Sequence, residues 1–240
     1  MPEVPAIPPR ARLAVLIDAD NVRSDFLPIV IREASALGTI TVKRVYGHFG
    51  SSSMNAWQPL VHEHALTPVH VPPAAVGKNA TDMKLAIEAM DLLHRRQMDG
   101  FCIVSSDSDF ATLASRIRED GVAVFGFGEE KASKGWVHAC DRFFYCDLLL
   151  RAEKTDSSKT KPNLVAVEDM LAAVEDSSDD DGWANLATVG QVLNKRMPDF
   201  DPRNYGFKKL SALLESLPAL EVRSEKTPGG TRVAVRVKPR

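Results

Sequence analysis

Cysteine is scarce: three residues in a chain of 240, at positions 102, 140 and 146. An odd number, all set in apolar stretches, argues against a disulfide framework, so Cys102, Cys140 and Cys146 read as buried thiols of a reducing compartment. No Cys or His spacing suits a zinc site. Long apolar runs are missing too. None approaches roughly 18 residues, so no membrane-spanning helix is expected, and the Pro-rich opening MPEVPAIPPRAR lacks the apolar core of a secretion signal. Neither sign of charge dominates. With 30 Lys and Arg against 32 Asp and Glu the net charge is -2, so no global basic field advertises nucleic acid, although a local basic face fits that balance. No GxxxxGK[ST] is present, which weakens a nucleotide triphosphatase reading, and GFGEEKASKG is too loose for a dinucleotide fingerprint. What remains is the composition of an ordinary globular protein, 44% hydrophobic and 26% charged, long enough for one large or two small domains and expected in the cytoplasm.

After a flexible leader at residues 1–11, disordered or extended, the chain alternates two kinds of segment up to residue 150. Apolar or β-branched runs at Leu13–Ile17, Thr39–Tyr46, Leu66–Val71, Phe101–Val104, Val122–Phe125 and Phe143–Cys146 read as strands. Helical spacings fall between them at Pro28–Leu37, Ser52–His64, Thr81–Gln97, Asp109–Asp120 and Ser133–Cys140. In the Thr81–Gln97 segment, Met83, Ile87, Met90 and Leu93 or His94 lie near one apolar stripe. Repeated β-then-α units imply an α/β fold: a Rossmann-like parallel sheet with helices on both faces. Residues 151–162, RAEKTDSSKTKP, read as a linker. Residues 163–240 show helices at Leu164–Val174, Leu186–Arg196 with Asn185 as cap, and Asn204–Leu217 between Pro202 and Pro218. Alternating strands follow at Leu220–Ser224 and Arg232–Val237 around Pro228-Gly229-Gly230. Three helices and a β-hairpin are the outline of a small winged-helix domain.

Carboxylates gather where these strands end. LAVLI runs into IDADN, delivering Asp18, Asp20 and Asn21; FCIV runs into SSDSD, delivering Asp107 and Asp109. In a parallel sheet both sets reach the carboxyl edge, where ligands bind. NATDMKLAIE adds Asp82 in the first turn of a helix, and Glu88 further along. Acids that close repel one another unless a cation offsets them. A hard divalent ion, Mg²⁺ or Mn²⁺, suits oxygen-only ligands and the chemistry of phosphodiester cleavage. Plain structural roles stand beside this reading: Asp18 can cap a turn, Asp107 or Asp109 can N-cap the next helix, and Glu88 can be a solvated helix residue. Lys78 and His48 lie in loops on the expected active edge, placed to meet substrate.

The stretches LAVLIDADN, GKNATDMKLAIEAM and FCIVSSDSDFATLASRIREDGVAVFGFG resemble the NYN domain, a PIN-like nuclease fold, in its LabA-like branch; the resemblance covers about residues 12–148 of a domain read as residues 12–150. The resemblance implies a PIN-type sheet presenting acids and Mg²⁺- or Mn²⁺-dependent ribonuclease activity. On this chain it makes Asp18, Asp82, Asp107 and Asp109 the catalytic acids, with Asp18, Asp82 and Asp107 on the metal and Asn21 and Glu88 in support. Ser106 stands where the family usually has Gly.

WANLATVGQVLNKRMPDFDPRNYGFKKLSALLESLPALEV, followed by GGTRVAVRVK, is similar to the OST-HTH or LOTUS domain, which is associated with RNA binding and with protein contacts. Lys195, Arg196, Lys208 and Lys209 cluster on or near the second and third helices of that segment, a patch able to track phosphates or simply a solvated face. Together the expectations are a metal-dependent ribonuclease acting on single-stranded RNA, with an RNA-binding module behind it. The alternatives are a non-catalytic RNA or protein adaptor and a small-molecule phosphatase.

Overall fold

The computed structural model of the chain describes residues 11–72, 79–154, 164–227 and 230–238. Two compact units meet in sequence at Leu150 and Arg151. In the first, six strands alternate with helices: β1 (Arg12–Asp18), α1 (Leu27–Leu37), β2 (Thr39–Gly47), α2 (Gln58–Glu63), β3 (Thr67–His70), α3 (Ala80–His94), β4 (Gly100–Val104), α4 (Phe110–Glu119), β5 (Ala123–Gly128), α5 (Lys134–Ala139), β6 (Arg142–Tyr145) and α6 (Cys146–Lys154). All pair in parallel, in the order β3-β2-β1-β4-β5-β6. The order reverses between β1 and β4, which makes their shared carboxyl edge the switch point where such sheets bind ligands.

Both faces of the central strands are buried, which is why they read as continuous apolar runs. Along β1, Leu13, Val15 and Ile17 pack with α1, α2 and α6, while Ala14 and Leu16 pack with α3, α4 and α5. β4 splits the same way, Cys102 and Val104 to one side, Phe101 and Ile103 to the other. Each fully buried Leu or Ile contributes roughly 1.5–3 kcal/mol, so these two strands anchor the layers that fix the switch point. The three thiols lie in this core, and burial pushes each of them up from the ordinary thiol range.

Several segments differ from the sequence expectation. Ser52–His64 is not one helix: a short 3₁₀ turn at Ser52–Met54 precedes α2, with Pro59 in α2's first turn, where it costs no hydrogen bond. In α3 the buried side is Leu85, Ala89, Leu92 and Leu93, whereas Met83 and Ile87 are 66% and 53% exposed. The first half of the expected apolar stripe therefore faces outward, while Met90 and Leu93 pack against the core. The last strand is followed directly by α6, whose final turn occupies the start of the expected linker.

In the second unit, α7 (Leu164–Asp176), β7 (Ala184–Asn185), α8 (Leu186–Arg196), α9 (Leu210–Glu215), β8 (Leu220–Thr227) and β9 (Gly230–Val237) enclose their own core around Met170, Val189, Leu193, Leu213, Leu214 and Val235. The strands form an antiparallel sheet ordered β7-β9-β8. Asn185 caps α8 by accepting the Ala187 N–H at 2.9 Å. The expected Asn204–Leu217 helix is broken: a 3₁₀ turn at Pro202–Tyr205 ends at Gly206, whose φ of 77° stops it, and α9 starts afresh at Leu210.

Candidate active site

Asp18, the last residue of β1, is fully buried. It continues the alternation of Ala14 and Leu16, so its side chain lies on the α3–α4–α5 face of the sheet. Ile17 pairs with Val104, and one further step in that register sets Asp18 beside Ser105. Ser105 Oγ donates to Asp18 Oδ2 at 2.9 Å, and Asn21 Nδ2 donates to the same oxygen at 2.8 Å. Asp18 Oδ1 is buried and has no partner among the described residues. Burial raises the pKa of Asp18; the Asn21 and Ser105 donors offset part of that rise, and the nearby charge of Asp20 adds to it.

Ser105 organises the other strand end. Its hydroxyl accepts the Asp107 N–H at 3.1 Å, and its carbonyl accepts the buried Trp136 Nε1–H at 2.9 Å. Asp107 Oδ1 accepts the Asp109 N–H at 2.9 Å, so Asp107 closes the turn before α4. Asp109 makes no capping bond to that helix; its Oδ2 accepts from Asn79 Nδ2 at 3.1 Å. Ser106 turns toward the end of β5, where its Oγ accepts the Glu129 N–H at 3.0 Å. Gly128 lets the strand pass close to this turn, since a Cβ there would stand 3.0 Å from the Ser105 carbonyl and 2.9 Å from Phe143.

The third contribution is the start of α3. Asp82 heads the helix's buried stripe, three and seven residues before Leu85 and Ala89, and so faces the sheet. Thr81 Oγ1 donates to Asp20 Oδ2 at 2.6 Å, tying the α3 start to the loop after β1. Burial, then the charges of Asp18, Asp107, Asp109 and Asp20, raise the pKa of Asp82 to about 6. Its Oδ1, like that of Asp18, is buried without a partner among the described residues. Five carboxylates from three elements thus share one electrostatic environment.

Not every expected residue joins them. Glu88 is engaged elsewhere: its carboxylate accepts from Arg44 Nη1 and Tyr46 Oη, both at 2.8 Å, and pairs with Lys84 Nζ at 2.9 Å. Burial alone would raise its pKa, but the Lys84 and Tyr46 donors and the Arg44 charge bring it below the ordinary range. His48 follows β2 on the carboxyl edge, its ring 5.3 Å from that of His70, with Nδ1 buried and unpartnered among the described residues. Lys78 lies outside the described residues. On the second unit, Lys195, Lys208 and Lys209 are exposed, while Arg196 pairs with Asp176.

Ser105, Asn79 and Thr81 belong to the site although nothing in the sequence singled them out, and Asp20, named among the strand-end acids but given no role, joins them. Asp20 carried the available signal, an acid two residues beyond a strand-end acid.

The donor chemistry is all oxygen, which fits a hard divalent cation. The buried oxygens of Asp18 and Asp82 that have no partner among the described residues, on two different elements, are the atoms such an ion would satisfy. Among the described residues no three acids are drawn into a ready-made ligand set. Asp18, Asp20, Asp107 and Asp109 are each held by hydrogen bonds of their own.

Fold and site define a class: a parallel α/β domain with an acidic switch-point site, joined to a small helix-and-hairpin unit. The NYN domain model matches residues 12–150, more than half of the chain, so the chain belongs to the NYN-domain family, whose domain is of nuclease type. The OST-HTH/LOTUS domain model, that of an RNA-binding module, matches residues 162–231. The first unit's parallel sheet with flanking helices is the PIN-like fold expected of an NYN domain. Among solved structures, a protein of unknown function from Vibrio parahaemolyticus is similar over 56% of this chain and 92% of its own, at 16% identity and a TM-score of 0.48. An uncharacterised protein from Nitrosomonas europaea is similar over 35% of this chain and 82% of its own, at 40% identity and a TM-score of 0.31. A protein from Chromobacterium violaceum is similar over 35% of this chain and 87% of its solved segment, at 32% identity and a TM-score of 0.26. No curated protein matches the chain. No helix among the described residues is long and apolar enough to cross a membrane.

Proposed function

We propose that the chain is a metal-dependent ribonuclease that cleaves phosphodiester bonds of single-stranded RNA, using Mg²⁺ or Mn²⁺. The observation that carries this reading is Asp82, a half-buried carboxylate whose pKa four neighbouring acids help to raise, with orphaned oxygens on it and on Asp18. Asp18, Asp82 and Asp107 would hold the cation. When bound, it supplies positive charge against the negative charge that develops on the phosphoryl group. Asn21 and Ser105 orient Asp18, and Asp109 stands in the same field, fixed by Asn79. His48, at the end of β2, is a candidate substrate contact, and so from its sequence is Lys78, outside the described residues. The second unit holds RNA and so raises its local concentration at the acids, with Lys195, Arg196, Lys208 and Lys209 as its first candidate contacts. Buried, unpaired thiols support a reducing, cytoplasmic setting.

An adaptor that binds RNA or protein without cutting is the second reading, favoured by the separate hydrogen bonds of the acids and the lack of a preformed ligand set among the described residues. Incubating the full chain with end-labelled single-stranded RNA, with Mn²⁺ or with a chelator, separates the two. Cleavage that needs Mn²⁺ and disappears in Asp18→Asn and Asp107→Asn supports the nuclease. Binding without cleavage supports the adaptor, and cleavage by both variants at the wild-type rate removes the acids from the chemistry. Turnover of small phosphate esters without RNA cleavage would instead indicate a phosphatase.

A further inference from the structure

The second unit's sheet turns an unusual face to solvent. Residues paired across β8 and β9 share a side, so Glu221, Arg223, Arg232, Ala234 and Arg236 point one way, while Leu220, Val222 and Val235 point into the core. β7 extends this outer face, because Asn185 pairs with Ala234. Trp183, two residues before Asn185, falls on the same side. Its ring lies 4.0 Å from the Arg223 guanidinium and 4.6 Å from that of Arg236. Arg236 is also held by Glu221, Nε to Oε2 at 2.8 Å. Asp179 fixes the tryptophan from below: its Oδ1 accepts the Trp183 N–H at 3.0 Å, and its own N–H bonds the Trp183 carbonyl at 3.0 Å.

Beside the ring is a cavity of about 90 Å³ lined by Asp179, Trp183, Asn185, Arg223, Arg232 and Ala234. It takes a phosphate group but not a whole nucleotide. Two guanidiniums from adjacent strands and the Asn185 amide line it, and Asn185 Oδ1 is already committed to the α8 cap, which leaves its NH₂ to donate outward. Arginine forks match phosphate oxygens, and stacking on an indole fixes an arginine's plane before any ligand arrives. The lining acid, Asp179, spends one oxygen on the Trp183 turn. The other basic candidates on this unit lie on α8 and around the start of α9, and Arg196 there is tied to Asp176.

Building on the reading that this chain acts on RNA, we propose that the outer face of the β7-β9-β8 sheet is the RNA-backbone-binding surface of the second unit. Arg223, Arg232 and Asn185 take one phosphate in the cavity, and Trp183 and Arg236 hold the frame around it. The helix-borne lysines are secondary.

The test is a set of anisotropy titrations of the full chain with fluorescein-labelled single-stranded RNA, in chelator so that nothing is cut, at several salt concentrations. Arg232→Gln, which leaves the Trp183 stack untouched, lowers the slope of log affinity against log salt by about 0.7, and Arg223→Gln with Arg232→Gln by about 1.4. Arg116→Gln, an exposed arginine on α4 of the first unit, controls for the loss of one charge and leaves the slope unchanged. RNA also changes the emission of Trp183, the half-buried tryptophan, since Trp57 and Trp136 are buried. Wild-type binding with an unaltered slope in Arg232→Gln and in the double variant overturns the proposal and returns the contact to the helices or the face to a protein partner. A wild-type chain that binds no RNA at any salt overturns the RNA reading itself.

Discussion

The Ser105 hydroxyl donates to Asp18 Oδ2 at 2.9 Å, across the seam where β1 and β4 run side by side. The same hydroxyl accepts the Asp107 N–H. One side chain thus couples the acid of the first strand to the acid after the fourth. Ser105→Ala leaves the buried Asp18 carboxylate with one donor fewer and the Asp107 amide without its acceptor. The expected loss is about 1–3 kcal/mol in chemical denaturation, together with a roughly 10–100-fold loss of Mn²⁺ affinity by calorimetry. Unchanged affinity with lowered stability would reduce Ser105 to a packing role.

Asp82 makes the site sensitive to pH. Its pKa is raised to about 6 from the ordinary aspartate value of 3.8, so between about pH 4 and 6 the folded, metal-free chain holds a proton there that the unfolded chain does not. Its contribution to stability is fully present below about pH 4 and is lost as pH rises through about 6. In chelator, Asp82→Asn is therefore expected to melt above wild type at pH 7.5, with the gap closing toward pH 4. With Mn²⁺ at pH 7.5 the order reverses, because wild type gains from the ion and the variant does not. Thermal melts across that pH range, with and without Mn²⁺, check both halves.

Glu88 is expected to matter for stability and not for cleavage. It satisfies Tyr46 Oη, and burial with the Glu88 charge pushes that phenol upward. Glu88→Ala should cost about 1–3 kcal/mol by leaving the Tyr46 hydroxyl and Arg44 without their partner, while cleavage at a permissive temperature stays within about threefold of wild type. A collapse of activity without a change in stability would move Glu88 into the acid site.

Two glycines of β5 separate packing from positioning. A Cβ on Gly126 would stand 2.4 Å from Phe143 and 2.7 Å from Cys140 Sγ, an overpacked core costing roughly 1–3 kcal/mol. A Cβ on Gly128 would meet the Ser105 carbonyl at 3.0 Å and Phe143 at 2.9 Å, pressing on the turn that carries Asp107. Gly126→Ala should lower stability alone; Gly128→Ala should also lower Mn²⁺ affinity. Calorimetry beside denaturation curves shows which.

Much of this was legible in the chain itself, for a physical reason. Strands buried on both faces must be continuously apolar, so LAVLI and FCIV stand out and the acids after them mark the carboxyl edge. Glu88 was misleading because it is acidic and nearby in sequence. Six residues on from Asp82, it lies about 240° around the helix, and the structure turns it to Arg44 and Tyr46. The exposed Met83 and Ile87 stripe misled in the same helix, since residue size hid the true core face, which includes the small Ala89. Ser105, Asn79 and Thr81 could not be found in sequence because their roles depend on the β1–β4 register and on how α3 docks.

Asp18, Asp82 and Asp107 are proposed to hold a divalent ion jointly. Crystals of the full chain grown with Mn²⁺ and measured at a wavelength where manganese scatters anomalously test it directly. One strong anomalous peak is expected about 2.1 Å from a carboxylate oxygen of each of the three residues, with Asp18 Oδ1 and Asp82 Oδ1 among them. Data that show Mn²⁺ bound elsewhere, or no peak at this edge of the sheet in millimolar Mn²⁺, would contradict it.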